Sequence, residues 1–322
     1  MLVCREIKFD RELFNKIARR SKTASFFQTG DWLSVWLRHF EKNSLFWGVF
    51  DKDDLIGIAP FYLKNDVVSL LGTREVAQGE VLTDFGDIIA VYKREEEIWK
   101  ALIGAFQSKI QNIKLELNFI REDSASFSIL RNLGLNSKQV DRAPYVDLPS
   151  SWDEYLISLE RHNRHEIKRK MKKAKEVEFN LVENKIKNEF IERMLELIAL
   201  SNPEKKEFLK PEVADFFRDL IKTLADYGVL RMFFLKYRSK LIAGLIFFYY
   251  QNEYLLYNSG FDPQYASLSP GFVLKSEFLK KAITDRVKRL NFLRGGERIK
   301  YDLGGKDNKL YKFSISFLYE NE

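Results

Sequence analysis

Apolar and polar positions follow the same grammar in two widely separated blocks of the chain. The first block runs Phe46-Trp47-Gly48-Val49-Phe50, a polar turn over Asp51–Asp54, then Leu55-Ile56-Gly57-Ile58-Ala59-Pro60-Phe61-Tyr62, and a third apolar stretch from Val67 to Leu71. The second runs Arg231-Met232-Phe233-Phe234-Leu235, a turn at Arg238-Ser239-Lys240, the apolar run Leu241–Tyr250, and Tyr254-Leu255-Leu256-Tyr257. Aligned without a gap, Leu55-Ile56 fall on Leu241-Ile242, which makes an internal repeat at a spacing near half the chain.

Each block leads into a helical stretch and one further strand. The helices are Glu95–Ile110 and Phe272–Asp285, the latter with Leu274, Phe278 and Ala282 on one face; the strands are Lys114–Phe119 and Arg289–Leu293. Hairpins that feed a helical crossover predict an α/β protein of the α+β kind, with mixed sheets and helices packed on them. Pro60 interrupts the second strand of the first block, where a missing N–H favours an edge or a bulge, so that half reads as structurally modified. Around Pro149-Ser150-Ser151 an extended stretch meets a helix start, with Ser151 and Glu154 in capping-box spacing. The expected domains are therefore 1–149 and 150–322, as a chain of 322 residues exceeds what one core usually supports.

Composition changes this picture little, since 45% hydrophobic and 31% charged residues describe an ordinary globular chain. The charge of +7 is unevenly placed: Arg161–Lys175 holds eight Lys or Arg against one acid, Glu166. A solvated helix face, or contact with an anionic ligand, an acidic polymer or a nucleic acid, all fit such a run. No aromatic stacking platform is interleaved with it, which disfavours simple nucleic-acid binding. The longest apolar run, Leu241–Tyr250, is far short of the roughly 18 residues that cross a bilayer, so no membrane span is expected. The N-terminus lacks a secretory pattern and Cys4 is the only cysteine, so a reducing cytoplasm is the expected home. With His39, His162 and His165 the only histidines, no metal site is expected.

Two loops concentrate candidate chemistry. In Asn258–Gly271, Ser269 stands as N-cap, Pro270 at the first helical position and Gly271 just inside, an arrangement that suits a pyrophosphate and equally suits a merely well-capped helix. In Phe292–Gly305, Arg294, Glu297, Lys300 and Tyr301 could position or deprotonate a nucleophile, or could simply decorate a tight glycine turn. In the first half, Asp84-Phe85-Gly86-Asp87 offers acids that could bind an amine or sugar hydroxyls, or face solvent.

These stretches carry a resemblance. The element order of the second half resembles the GNAT acyltransferases, and the motifs are more narrowly similar to the CelD-like GNAT family associated with bacterial cellulose and exopolysaccharide synthesis. The matching pieces are Phe27-Gln28-Thr29-Gly30-Asp31-Trp32 with Trp36, Arg38 and His39; Pro144-Tyr145-Val146-Asp147-Leu148-Pro149 with Trp152 and Tyr155; the basic helix; Ser259-Gly260-Phe261-Asp262-Pro263 with Tyr265; Ser269-Pro270-Gly271; and Phe292-Leu293-Arg294-Gly295 with Lys300-Tyr301. Gly296, where an acid is common, and Leu303, where an aromatic is usual, depart from the pattern.

The resemblance implies two tandem GNAT-like domains, the N-terminal one degenerate and the C-terminal one binding the acyl donor. The donor would be acetyl-CoA or another acyl-CoA, its pantetheine beside Ser259 and Gly260 and its pyrophosphate at Ser269, Pro270, Gly271 and Phe272. A small or glycan-linked amine or hydroxyl would attack the thioester directly, with Glu297 as base and Tyr301 as acid, in polysaccharide or cell-envelope biosynthesis. Arg294 and Lys300 would hold acceptor or CoA phosphates, and Asp84, Asp87, Arg164, Asp262 and Tyr265 would serve on the substrate side. The chain also resembles the Fem-type aminoacyl transferases, which use aminoacyl-tRNA; there the Arg161–Arg169 helix would meet a phosphate-bearing substrate. A catalytically silent module of a polysaccharide-synthesis complex is the third expectation, with Gly296 and Leu303 as its marks.

Overall fold

The computed structural model describes residues 2–40, 43–73, 81–109, 113–182 and 186–317. They form two compact units, one of 1–142 with 308–322 and one of 143–307.

In the first unit the elements are β1 (Val3–Glu6), α1 (Arg11–Ala18), α2 (Gly30–Phe40), β2 (Ser44–Asp51), β3 (Asp54–Lys64), β4 (Val67–Leu70), β5 (Ile89–Ala90), α3 (Glu95–Lys109), β6 (Ile113–Arg121), α4 (Ala125–Asn132) and β7 (Asn136–Arg142). Glu95, Glu96 and Glu97 open α3, where acids complement the helix dipole, and Ile98, Trp99, Leu102 and Phe106 carry its buried face. Ile110, expected to end that helix, lies outside the described residues.

The second unit comprises β8 (Tyr145–Asp147), α5 (Trp152–Ser158), α6 (Arg161–Lys173), β9 (Glu178–Val182), α7 (Asn188–Ser201), α8 (Pro203–Phe208), α9 (Pro211–Asp226), β10 (Leu230–Tyr237), β11 (Lys240–Tyr250), β12 (Glu253–Phe261), α10 (Pro270–Thr284), β13 (Arg289–Asn291) and α11 (Arg298–Asp302). Ser151 caps α5 by accepting the Glu154 amide at 3.2 Å, while the Glu154 carboxylate reaches back to Ser150 rather than to Ser151. The last strand, β14 (Lys309–Phe317), belongs with the first unit. Chain order had put it with the second half, but β14 pairs with both β6 and β7 and buries Leu310 and Phe313 there. Such a return of the C-terminus is not encoded in local pattern.

The first sheet runs β1-β2-β3-β4-β6-β14-β7 with β5 also beside β3; the second runs β8-β13-β12-β11-β10-β9. Both are mixed, because β4 runs parallel to β6 and β12 parallel to β13 while their other pairings are antiparallel. The repeat appears in the register: Phe61 faces Leu70 in the first sheet, and Phe247 faces Leu256 at the same sequence offset in the second.

The two sheets part at the next residue. In the second, β12 continues past Leu256 through a bulge at Tyr257 and pairs Asn258 with Ile246 and Gly260 with Gly244. In the first, the chain leaves the sheet after Leu70 and pairs again at β5, where Ile89 faces Ile58, so the stretch of sequence between the two pairings is longer than the 257–259 of the second unit. Pro60 sits at this break. Its carbonyl accepts the Leu71 amide at 2.8 Å, and its missing N–H falls where the ladder is already interrupted.

The Phe27–Trp32 motif braces the first unit internally. Gln28 and Ser25 form a capping box and the Gln28 amide donates to the Phe85 carbonyl at 2.7 Å. Gly30 lies against Arg11, whose carbonyl would be 2.1 Å from an added Cβ, and Asp31 accepts from Arg11 at 2.9 Å and from Asn15 at 2.8 Å.

Candidate active site

Parallel strands usually stay paired, but β12 and β13 do so only over Glu253–Leu255 against Arg289–Asn291. Beyond Asn291 the chain turns away through Phe292 and Leu293, and among the described residues no strand lies beside the last half of β12 on that side. A crevice therefore opens at the carboxyl ends of two adjacent parallel strands, the place where open α/β sheets take their ligands. β13 is fixed from its other side by β8, where Arg289 lies over the Tyr145 ring at 3.9 Å and bonds Asp147 at 2.9 Å.

Successive residues of β12 point to opposite faces. Gly260 faces α7, where an added Cβ would be 2.3 Å from the Leu197 carbonyl, so its lack of a side chain is a packing requirement and not a ligand contact. Ser259 faces the other way. Its hydroxyl accepts from Lys275 Nζ at 3.0 Å, and its carbonyl accepts from Lys205 Nζ at 2.7 Å. Lys205 comes from α8 and also reaches Asn258 Oδ1 at 3.4 Å.

Beyond β13 a second cationic group organises the turn. Lys300 is 6% exposed, and its ammonium donates to the carbonyls of Leu293, Arg294 and Gly295 at 3.1, 2.7 and 3.0 Å while pairing with Glu297 at 2.9 Å. Its donors are thus consumed by the protein, and it builds the loop rather than holding a phosphate or an acceptor. Desolvation would raise the Glu297 carboxyl, but the Lys300 ammonium outweighs it and holds the group below the usual carboxylate range. A carboxylate so stabilised is a weak proton acceptor near neutrality. Tyr301 donates to Asp307 at 2.6 Å. Leu303 is fully buried and its carbonyl accepts the Tyr155 hydroxyl at 3.0 Å, so this departure from the family pattern is a core position.

Lys275 escaped the sequence reading because a lysine inside an amphipathic helix ordinarily faces water. Here it is partly buried. Desolvation first, and then the nearby Lys205 and Lys300 charges against the opposing pull of Glu297, push its ammonium down to about 7. Only the folded arrangement of α8, α10 and the Leu293–Lys300 turn makes that environment.

The start of α10 differs from expectation in detail. Ser269 adopts a left-handed conformation, φ 51°, and its hydroxyl makes no cap; its carbonyl takes both the Phe272 and the Val273 amides at 3.0 Å. With Pro270 lacking an N–H, the Gly271 amide is what this helix end can offer an anion. Positive charge arrives instead from α6, which packs beside α10 and sets Lys170 Nζ 3.9 Å from the Phe272 ring centre. Arg164, one of the expected substrate contacts, is partly exposed on the same helix. Asp262 accepts the Gln264 amide at 3.0 Å and lies 3.6 Å from Arg193, and with Tyr265 it lines a separate open depression of about 360 Å³.

The first unit holds the remaining expected residues. Asp84 is 9% exposed and Asp87 2%. Both Asp87 oxygens accept serine hydroxyls, from Ser124 and Ser126, at 2.6 Å, and the Ile88 amide adds a third bond at 2.8 Å. Asp87 therefore pins the chain internally and does not present its carboxylate to a substrate. Burial raises it to about 6 against the lowering effect of these bonds.

Residues 161–301 match the acetyltransferase (GNAT) domain family. The structure of FemX superposes with a TM-score of 0.68 at 11% identity, over 98% of this chain and 97% of that one. L-PGS from Bacillus licheniformis gives 0.61 at 10% identity, over 97% and 93%. A tandem GNAT protein from the clavulanic acid biosynthesis pathway gives 0.56 at 10%, over the full length of both. No curated protein sequence matches. No helix among the described residues is long and apolar enough to cross a membrane. The chain therefore has a two-domain GNAT fold, and its residues 161–301 match the acetyltransferase (GNAT) domain family.

Proposed function

We propose that the second unit transfers an acyl group from an acyl-CoA to an amine or hydroxyl acceptor in the crevice where β12 and β13 part. The observation that carries this reading is the open edge of β12 at Ser259, flanked by Lys205 and Lys275. An extended thioester arm fits beside such an edge, and the Gly271 amide with the basic face of α6 suits its phosphates. Glu297, held ionised, orients an ammonium or hydroxyl acceptor, and Tyr301 supplies a hydrogen bond beside it. The CelD-like motifs direct the acceptor toward a carbohydrate-linked amine or hydroxyl, and the first unit serves as a non-catalytic partner domain.

A second reading, an aminoacyl-tRNA donor, is favoured by one observation: α6 brings Arg161, Arg164, Lys168, Arg169, Lys170, Lys172 and Lys173 onto a single helix packed against α10. Thermal unfolding with acetyl-CoA, longer acyl-CoAs and tRNA separates the two. A ligand at a hundred times its Kd stabilises the fold by about 2.7 kcal/mol. Stabilisation by acyl-CoA supports the first reading, and stabilisation by tRNA that fades steeply with salt supports the second. No response to either leaves the silent module.

A further inference from the structure

We propose that Lys275 is itself an acyl acceptor: its amine, placed at the mouth of the β12–β13 crevice, takes the acyl group of a bound thioester and becomes an Nε-acyl-lysine. The inference rests on the acyl-CoA reading above. It stands on where three lysines converge and on what each of them is doing.

Lys300 spends its ammonium on three carbonyls and Glu297. Lys205 donates to the Ser259 carbonyl and to Asn258. Among the described residues Lys275 bonds Ser259 Oγ, a hydroxyl that can equally well donate to a neutral amine. Lys275 feels the like charges of Lys205 and Lys300, and the Glu297 carboxylate that opposes them is already paired with Lys300. Lys275 is the member that gives up its proton, with burial as the largest cause, and it does so near neutrality where surface lysines stay ionised. A neutral, partly buried amine beside the edge of β12 is a nucleophile in the place where the carbonyl of a thioester arm would lie.

The step balances without another reactant. The Lys275 nitrogen attacks the thioester carbonyl, a C–N bond forms, the C–S bond breaks, and the nitrogen's proton ends on the departing thiol. The amide that results carries no charge and does not turn over. It fills the crevice, so acylation is self-limiting and shuts the site.

The test uses the full chain and needs no knowledge of the natural acceptor. The protein is incubated with acetyl-CoA across a pH series, digested and mapped by mass spectrometry, with trace labelling by acetic anhydride as a donor-free measure of each lysine's reactivity. Lys275 is expected to gain one acetyl group about tenfold faster than surface lysines near neutrality. The rate should rise through about pH 7 and then level. Lys275→Arg should remove that acetyl group. Thermal stabilisation by acetyl-CoA with Lys275 unmodified overturns the inference and leaves the donor reading intact. Absence of both stabilisation and labelling overturns the two together, and anhydride labelling of Lys275 no faster than that of surface lysines overturns the inference by itself.

Discussion

Two crevices of common design lie in this chain, and they have met opposite fates. In each unit a hairpin is followed by a strand that runs parallel to the strand after the next helix, and in each the parallel pair separates after three residues, Val67–Ser69 against Lys114–Glu116 and Glu253–Leu255 against Arg289–Asn291. In the second unit the gap is left to polar and cationic groups. In the first it is filled by the chain itself: after leaving β4 the backbone returns through Leu82 and Phe85, both buried, and Gly86 donates to the Phe119 carbonyl at 3.1 Å. A crevice can thus be filled without losing the fold, by extra chain at the point where the sister strand carries only a bulge.

If the plug is structural, substitutions in it should cost stability and leave ligand binding alone. Gly86 is the sharpest place to ask, because an added Cβ would sit 2.2 Å from the Asn118 carbonyl and 2.9 Å from Leu70. Backbone cannot give way there as a flexible side chain would. Gly86→Ala is expected to cost about 3 kcal/mol or more, measured by urea unfolding, with acetyl-CoA affinity of the folded fraction unchanged. A wild-type unfolding midpoint in that variant would show that the first crevice is loosely filled.

The same plug ends on Asp87, and pH offers a gentler way to probe it. Its carboxyl is raised by burial from 3.8 to about 6 in the folded protein, so the folded state binds its proton more tightly than the unfolded chain does. The associated stability is fully present below about pH 4 and is lost as pH rises through about 6. Two pH units correspond to about 3 kcal/mol. Subtracting the Asp87→Asn profile from the wild-type one should isolate that slope; a flat difference between the two would mean that Asp87 titrates alike in the folded and unfolded chains.

Much of this contrast was readable before any coordinates. The repeat offset that aligned Leu55 with Leu241 also aligns Leu70 with Leu256, whereas Pro60, expected at an edge or a bulge, lies opposite Phe46 on the interior strand β3. Hairpin strands and the α10 helix were legible because period-two and period-3.6 patterns are local. What stayed hidden is non-local. β14 crosses back to β6 through pairing that its own alternation does not specify, and Lys275 acquires its character from Lys205 and Lys300, which lie far away in sequence. Lys300 and Asp87 drew attention as charged residues beside glycines, yet their bonds show them to be braces. Residue type at a loop signals that a charge is present, not whether protein or ligand satisfies it.

In the second unit the prediction reverses: filling the crevice should abolish donor binding with little effect on the fold. Ser259 is partly exposed at the open edge of β12, with its hydroxyl toward Lys275 of α10. Ser259→Trp should therefore weaken acetyl-CoA binding by about a hundredfold, or about 2.7 kcal/mol, by calorimetric titration. An unfolding temperature close to wild type is expected to accompany that loss. Retained affinity would move the donor out of this crevice.

The smallest expected effect is also the one that distinguishes a kept crevice from a neglected one. An open site that holds Lys275 against its own solvation carries a stability penalty, which a purely structural region has no reason to retain. The penalty is absent above the ordinary lysine value of 10.5, where the folded and unfolded chains are both neutral at this position. It grows as pH falls from 10.5 to about 7, where the unfolded lysine is charged and the folded one resists the proton, and is complete below that. Lys275→Met keeps the length of the side chain and removes the charge. The variant should be more stable than wild type by about 2 kcal/mol near neutrality, with the gap closing toward high pH. A variant no more stable than wild type at any pH would mean that Lys275 is comfortably solvated, and the difference between the two crevices would reduce to shape alone.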